Sequence, residues 1–136
     1  MNGAAGGRTT VKGWSSMSLL GNILKSIFPE KKPMKITTID AREAKTLVEN
    51  GAVLVDVREP GERAGGYIAN DRNLPLSRLT PVPVESNGKP VIFYCASGAR
   101  TRMNASALDA IGGAEPKILA GGIMGWAQAG LPIARG

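Results

Sequence analysis

Two apolar patterns alternate along the chain. "AVLVDVR" (52–58) and "PVIFYC" (90–95) are compact, β-branched-rich runs too short for helices, as expected of strands buried on both faces of a parallel sheet. The residues from Ile36 onward and "KIL" (117–119) predict two shorter strands. Between these runs lie mixed stretches of helical length. Asp40 precedes the first as an N-cap, with Glu43 at capping-box spacing, and Asn50-Gly51 closes it. "TRMNASALDAIGG" predicts a helix ending at Gly112-Gly113, and "GIMGWAQAG" another that closes on Gly130 with Pro132 just after. "EPGERAGG" predicts a short helix or turn, "NLPL" a short extended piece and "SNGKP" a turn. Strand and helix alternate without an internal repeat. The fold class expected is therefore α/β, three layers with a central, mainly parallel sheet flanked by helices.

The first 33 residues read differently. "MNGAAGGRTTVKGWSSMS" is rich in Gly, Ser and Thr and lacks an apolar period, the mark of a flexible extension. In "SLLGNILKSIF" (18–28), Leu19, Leu20, Ile23, Leu24, Ile27 and Phe28 fall at helical spacing with Lys25 off the stripe. This short amphipathic segment either docks on the domain or meets a membrane surface or a partner. Met17 and Met34 are alternative starts. The expected division is a flexible extension over 1–33 and one folded domain over 34–136.

Composition adds little and charge rather more. The 136 residues are 43% apolar and 21% charged, ordinary for a soluble domain. A net charge of +6 suggests nucleic acid until it is located. Residues 1–35 hold Arg8, Lys12, Lys25, Lys31, Lys32 and Lys35 against Glu30 alone, leaving 11 basic and 10 acidic side chains over 36–136. A basic face with interleaved aromatics is missing from the folded part, so no nucleic-acid partner is expected. No run reaches the roughly 18–20 apolar residues of a membrane span, and the N-terminus lacks a signal-peptide h-region. A soluble, cytoplasmic protein is expected.

The chain has one cysteine and no histidine. An internal disulfide, a Ser-His-Asp or Cys-His arrangement and a histidine-bound metal are excluded, and no cofactor is implied. Attention falls on "VIFYCASGART" (91–101). Cys95 ends a central strand, where open α/β sheets place their ligand sites. Ala96, Ser97, Gly98 and Ala99 form a small-residue turn whose N–H groups can face inward as an anion-binding nest, ahead of a helix N-terminus. Arg100 is the loop's one cationic side chain and closes it, with Thr101 following. Such surroundings favour thiolate over thiol and hold an oxyanion beside the sulfur. Cys95 and Arg100 have four residues between them, one fewer than in the protein tyrosine phosphatase signature. The shorter loop suits a cradle built around sulfur.

These segments together resemble the rhodanese family. "LVDVREPGERAGGYIANDRNLPLSRL" is similar to its first block, "VIFYCASGART" to its catalytic block and "ILAGGIMGWAQAGLPI" to its closing block, over about residues 35–134. The resemblance implies sulfurtransfer. Cys95 thiolate attacks the outer sulfur of thiosulfate or a related donor, sulfite leaves, and the persulfide passes its sulfur to cyanide in an assay or a thiol in cells. The amides of Ala96 to Arg100 stabilise the persulfide, and Arg100 attracts the donor. Two departures stand out. Tyr67 occupies the family's usual histidine position in the Gly-His-Ile turn, and the loop has a single cation where members efficient with thiosulfate often carry more, which implies that thiosulfate is a poor donor.

Other residues have quieter readings. Asp56 and Arg58 are expected as a structural ion pair near the sheet's end, with Asp56 able to brace the loop from behind. Glu59 and Glu62 read as solvated surface, with acids in a phosphatase-like mechanism as the alternative, and Trp126 as core with its N–H on a backbone carbonyl. Gly121 and Gly122 answer backbone constraints at a helix start rather than a phosphate. The alternatives are a rhodanese-fold persulfide carrier or redox sensor without rapid turnover, and a Cdc25-like phosphatase or arsenate reductase. The closing block also resembles that of bacterial rhodaneses that continue into a transmembrane hairpin. If this chain continues likewise past Gly136, it sits at the cytoplasmic face of the inner membrane.

Overall fold

The computed structural model describes residues 33–136. The amphipathic segment at 18–28 lies outside the described residues. The strands are β1 (Thr37–Ile39), β2 (Val53–Asp56), β3 (Arg72–Asn73), β4 (Val91–Tyr94) and β5 (Pro116–Leu119). They form one sheet in the order β1-β5-β4-β2-β3, every neighbouring pair parallel. The helices are α1 (Ala41–Glu49), α2 (Ala99–Met103), α3 (Ala105–Ile111) and α4 (Gly122–Gln128). Short 3-10 turns cover Pro60–Gly65 and Leu76–Arg78.

Strand periodicity decides where the core sits. On β4, Ile92 and Tyr94 point into one apolar layer with Leu54, Leu119, Ala44 and Trp126. Val91 and Phe93 point into the other with Val55, Leu108 and Ile111, and Cys95 continues their face. Each fully buried large apolar side chain contributes roughly 1.5–3 kcal/mol. Cys95 thus leaves the sheet on the α3 side, between β5 and β2.

Local signals act as expected at several points. Asp40 caps α1 by accepting the Glu43 N–H at 2.8 Å. Trp126 Nε1 donates to the Pro132 carbonyl at 2.9 Å while its ring is buried. The helix expected over 101–113 is instead two short ones broken at Asn104. Asn104 leaves helical geometry (φ −111°, ψ 21°), and its Nδ2 donates to the Arg100 carbonyl at 2.8 Å. An asparagine side chain there competes with the helix's own hydrogen bonds. The five-residue α2 is too short for a full helix dipole to face the loop.

Candidate functional site

Cys95 has no solvent exposure, and its Sγ accepts the Gly98 N–H at 3.1 Å. That contact depends on Gly98 taking φ +96°, a left-handed conformation open to glycine. Thr101 Oγ1 donates to the Gly98 carbonyl at 3.0 Å, fastening the loop's closing end, and lies 3.8 Å from Sγ, where its one proton can turn to a thiolate instead. Burial pushes the Cys95 thiol up. The Thr101 amide and hydroxyl, with the amides of Gly98 and Arg100, outweigh it and bring the thiol below its ordinary range. The N–H groups of Ala96, Ser97 and Ala99 have no backbone acceptor among the described residues.

The carbonyls of the same turn must point elsewhere, or they would oppose an anion at the sulfur. They do so through the start of α4. Ile123 N–H donates to the Cys95 carbonyl at 2.9 Å and Met124 N–H to the Ala96 carbonyl at 3.1 Å. The approach is close. A β-carbon on Gly122 would stand 2.3 Å from the Cys95 oxygen and 2.6 Å from the Ala96 oxygen, and the residue has φ +58°. Gly121 and Gly122 therefore let a helix start dock against the turn and draw its carbonyls away.

Arg100 makes a contact that its sequence position does not announce. Its Nη1 and Nη2 donate to the two Glu62 oxygens, each at 2.8 Å. Hydrogen bonding to Arg100 holds the Glu62 carboxyl at about 2. Glu62, read from the sequence as solvated surface, is thus the Arg100 partner 38 residues away in the chain. Glu62 also accepts the Glu59 N–H at 2.9 Å, which fixes the 3-10 turn carrying it.

Asp56 and Arg58 form the expected ion pair at 2.8 Å, both side chains buried. Asp56 makes no hydrogen bond to residues 95–101 among the described contacts. It accepts instead from Arg58, including its backbone N–H, and from Arg63 at 2.9 Å. Arg58 Nη2 donates to the Gly66 carbonyl at 2.8 Å. The pair therefore holds the turn that carries Glu62, and Arg58 also lies over the Tyr94 ring at 5.7 Å. Arg63 continues the network to Asp71, which accepts the Tyr94 hydroxyl proton, and that hydroxyl accepts the Ile68 N–H at 3.1 Å. Tyr67 sits at the network's rim with Arg63 over its ring at 4.5 Å, its backbone paired to Ala134.

No group of three or more Cys, His, Asp or Glu is placed to hold a metal ion among the described residues. No described helix is long and apolar enough to cross a membrane. The chemistry available is a buried sulfur with its negative charge met by amides.

The sequence profile of the rhodanese-like domain matches residues 40–129. The chain is 39% identical over 88 residues to the uncharacterized protein slr1261 of Synechocystis, covering 64% of this chain and 49% of that protein. It thus spans about half the length of that relative. It is 38% identical over 85 residues to a sulfurtransferase of Allochromatium vinosum, covering 60% of this chain and 77% of that one. Among solved structures, a rhodanese-related protein from Thermoplasma volcanium superposes with a TM-score of 0.62 at 29% identity, over 72% of this chain and 97% of that one.

Proposed function

Because the chain belongs to the rhodanese-like domain family, we propose that it moves sulfane sulfur from thiosulfate or a related donor to a thiophilic acceptor through a persulfide on Cys95. Family membership supports sulfurtransferase activity in general, as does similarity to the Allochromatium sulfurtransferase. The observation that carries the assignment to Cys95 is the Gly98 N–H on its sulfur at 3.1 Å, inside a turn whose Cys95 and Ala96 carbonyls are taken up by the start of α4.

The step balances without a cofactor. Cys95 thiolate attacks the outer sulfur of thiosulfate, a Cys–S–S bond forms, and the donor's S–S bond breaks with its electron pair leaving on sulfite. The persulfide carries the remaining negative charge on its outer sulfur. The amides of Gly98, Arg100 and Thr101 already favour negative charge at the sulfur, so little reorganisation is needed. Cyanide or a thiolate then attacks the outer sulfur, and the electron pair returns to Cys95 as thiolate.

Steady-state rates with thiosulfate and cyanide varied together test this cycle. A double-displacement path gives parallel double-reciprocal lines. Converging lines would contradict it. Stoichiometric loading without turnover would favour the persulfide-carrier reading.

A further inference from the structure

Two elements grip the cysteine turn. The start of α4 takes up the Cys95 and Ala96 carbonyls, and the 3-10 turn after β2 carries the Glu62 that holds Arg100. Between them lies a cavity of about 190 Å³, with Gly65 and Gly66 on one side and Ile123 and Met124 on the other. Ile133 and Arg135, from the segment that follows α4, line it as well. That segment is bonded to both elements. On α4, Trp126 Nε1 donates to the Pro132 carbonyl at 2.9 Å, and the Leu131 N–H donates to the Trp126 carbonyl at 3.2 Å. On the turn, the Tyr67 N–H donates to the Ala134 carbonyl at 2.9 Å and the Ala134 N–H to the Tyr67 carbonyl at 2.8 Å. Arg135 Nε donates to the Gly65 carbonyl at 3.3 Å. Ile133 Cγ2 stands 2.6 Å from the place of a β-carbon on Gly66, so only glycine, here at φ +138°, allows the contact. From the other side Arg58 holds the Gly66 carbonyl, and the Tyr94 hydroxyl accepts the Ile68 N–H. The carbonyls of residues 65–67 thus go alternately to the segment and to Arg58.

We propose that residues 131–135 are a clasp that positions the Glu62–Arg100 pair at the cysteine turn, with Ala134 as its main positioning residue. Closed, the clasp keeps α4 and the turn after β2 at a fixed spacing, and Cys95 has no solvent exposure. Opened, it frees the 65–67 end of that turn, loosens the two-point hold of Glu62 on Arg100 and admits a reagent to the sulfur. The clasp consists of a few hydrogen bonds made by partly exposed residues, the kind of contact that opens locally at small cost. Whatever draws the segment off the turn therefore changes charge and access at Cys95 together. The inference rests on the reading of the cysteine turn as the reactive site, not on the donor it uses.

NMR titration of the Glu62 carboxyl reads the clasp directly. Ala134→Pro removes the N–H given to Tyr67, and the Glu62 midpoint, held at about 2 in the wild type, rises by about one pH unit. Arg135→Ala removes only the bond to Gly65 and moves the midpoint the same way by less. Alkylation of Cys95 by neutral iodoacetamide, compared at equal thiolate fraction, speeds up several-fold in the same order. Val53→Ala, at the opposite end of β2 from the turn, serves as control. It lowers the denaturation midpoint and moves neither readout. A Glu62 midpoint unchanged in both Ala134→Pro and Arg135→Ala, or moved as far by Val53→Ala, would overturn the clasp. Should Ala134→Pro fail to fold, Arg135→Ala alone decides. Failure of the wild type to form a persulfide would instead count against the transfer reading, and the titration would still decide the clasp.

Discussion

Glu62 holds Arg100 by both terminal nitrogens at 2.8 Å, pairing the turn after β2 with the loop after β4. A guanidinium that sequence alone assigns to the donor is thereby engaged by a carboxylate of the protein itself. The pair is partly exposed, with 39% of the Arg100 and 36% of the Glu62 side chain accessible. It is worth little as stability and more as control over the charge seen by an incoming anion.

Neutralising the carboxylate should release that charge. Glu62→Gln keeps the side chain's shape and its place in the 3-10 turn. The thiosulfate KM is expected to fall several-fold, with kcat near the wild-type value. Steady-state kinetics at low and high salt check this. An unchanged or raised KM would show that Glu62 orients Arg100 productively.

The same pair has a defined pH window. The folded-state value for Glu62 is depressed from 4.5 to about 2, first through its hydrogen bonds to Arg100. A depressed carboxylate adds stability above its unfolded value that is lost as pH falls through the folded one. The link therefore persists throughout the neutral range and opens only between about 4.5 and about 2. NMR titration of the Glu62 carboxyl should give a midpoint near the lower figure in the wild type. The midpoint should rise towards the ordinary carboxylate range in Arg100→Ala.

Cys95 is expected to ionise below a free cysteine because amides and the Thr101 hydroxyl outweigh its burial. Thr101→Val preserves volume and removes the hydroxyl. The thiolate absorbance midpoint should move upward by about one to two pH units, in line with one hydrogen bond to a charged group. Neutral-pH persulfide formation should slow accordingly. A midpoint that moves down would contradict the role given to Thr101.

The glycines at the start of α4 offer a stability test with an internal control. Gly122→Ala would drive a methyl group to 2.3 Å from the Cys95 carbonyl oxygen at φ +58°. The expected loss is about 3 kcal/mol or more, from overpacking and left-handed strain together. Gly130→Ala also has positive φ (+80°) but meets nothing within 4 Å. Its expected cost is only about 1–2 kcal/mol. Comparable denaturation midpoints for the two variants would contradict the docking of α4 on the cysteine turn.

The sheet was legible because its signals are local. β2 and β4 are continuous apolar runs, and Cys95 follows β4 directly, so the cysteine and its turn could be read together. Asp40, Trp126 and the Asp56–Arg58 pair likewise behave as their neighbourhoods suggest. What was hidden depends on tertiary proximity. Glu62 looks like any surface acid until the fold carries it to Arg100. The break at Asn104 was visible in principle, since asparagine favours leaving a helix, but "TRMNASALDAIGG" as a whole reads as continuous.

The central claim is that Cys95 carries the transferred sulfur. Intact mass of the purified protein before thiosulfate, after it, and after subsequent cyanide tests this most directly, with Cys95→Ala alongside. The account predicts a gain of one sulfur atom on the wild type alone, reversed by cyanide with release of thiocyanate. No gain with thiosulfate or any other sulfane donor, or the same gain on Cys95→Ala, would contradict it.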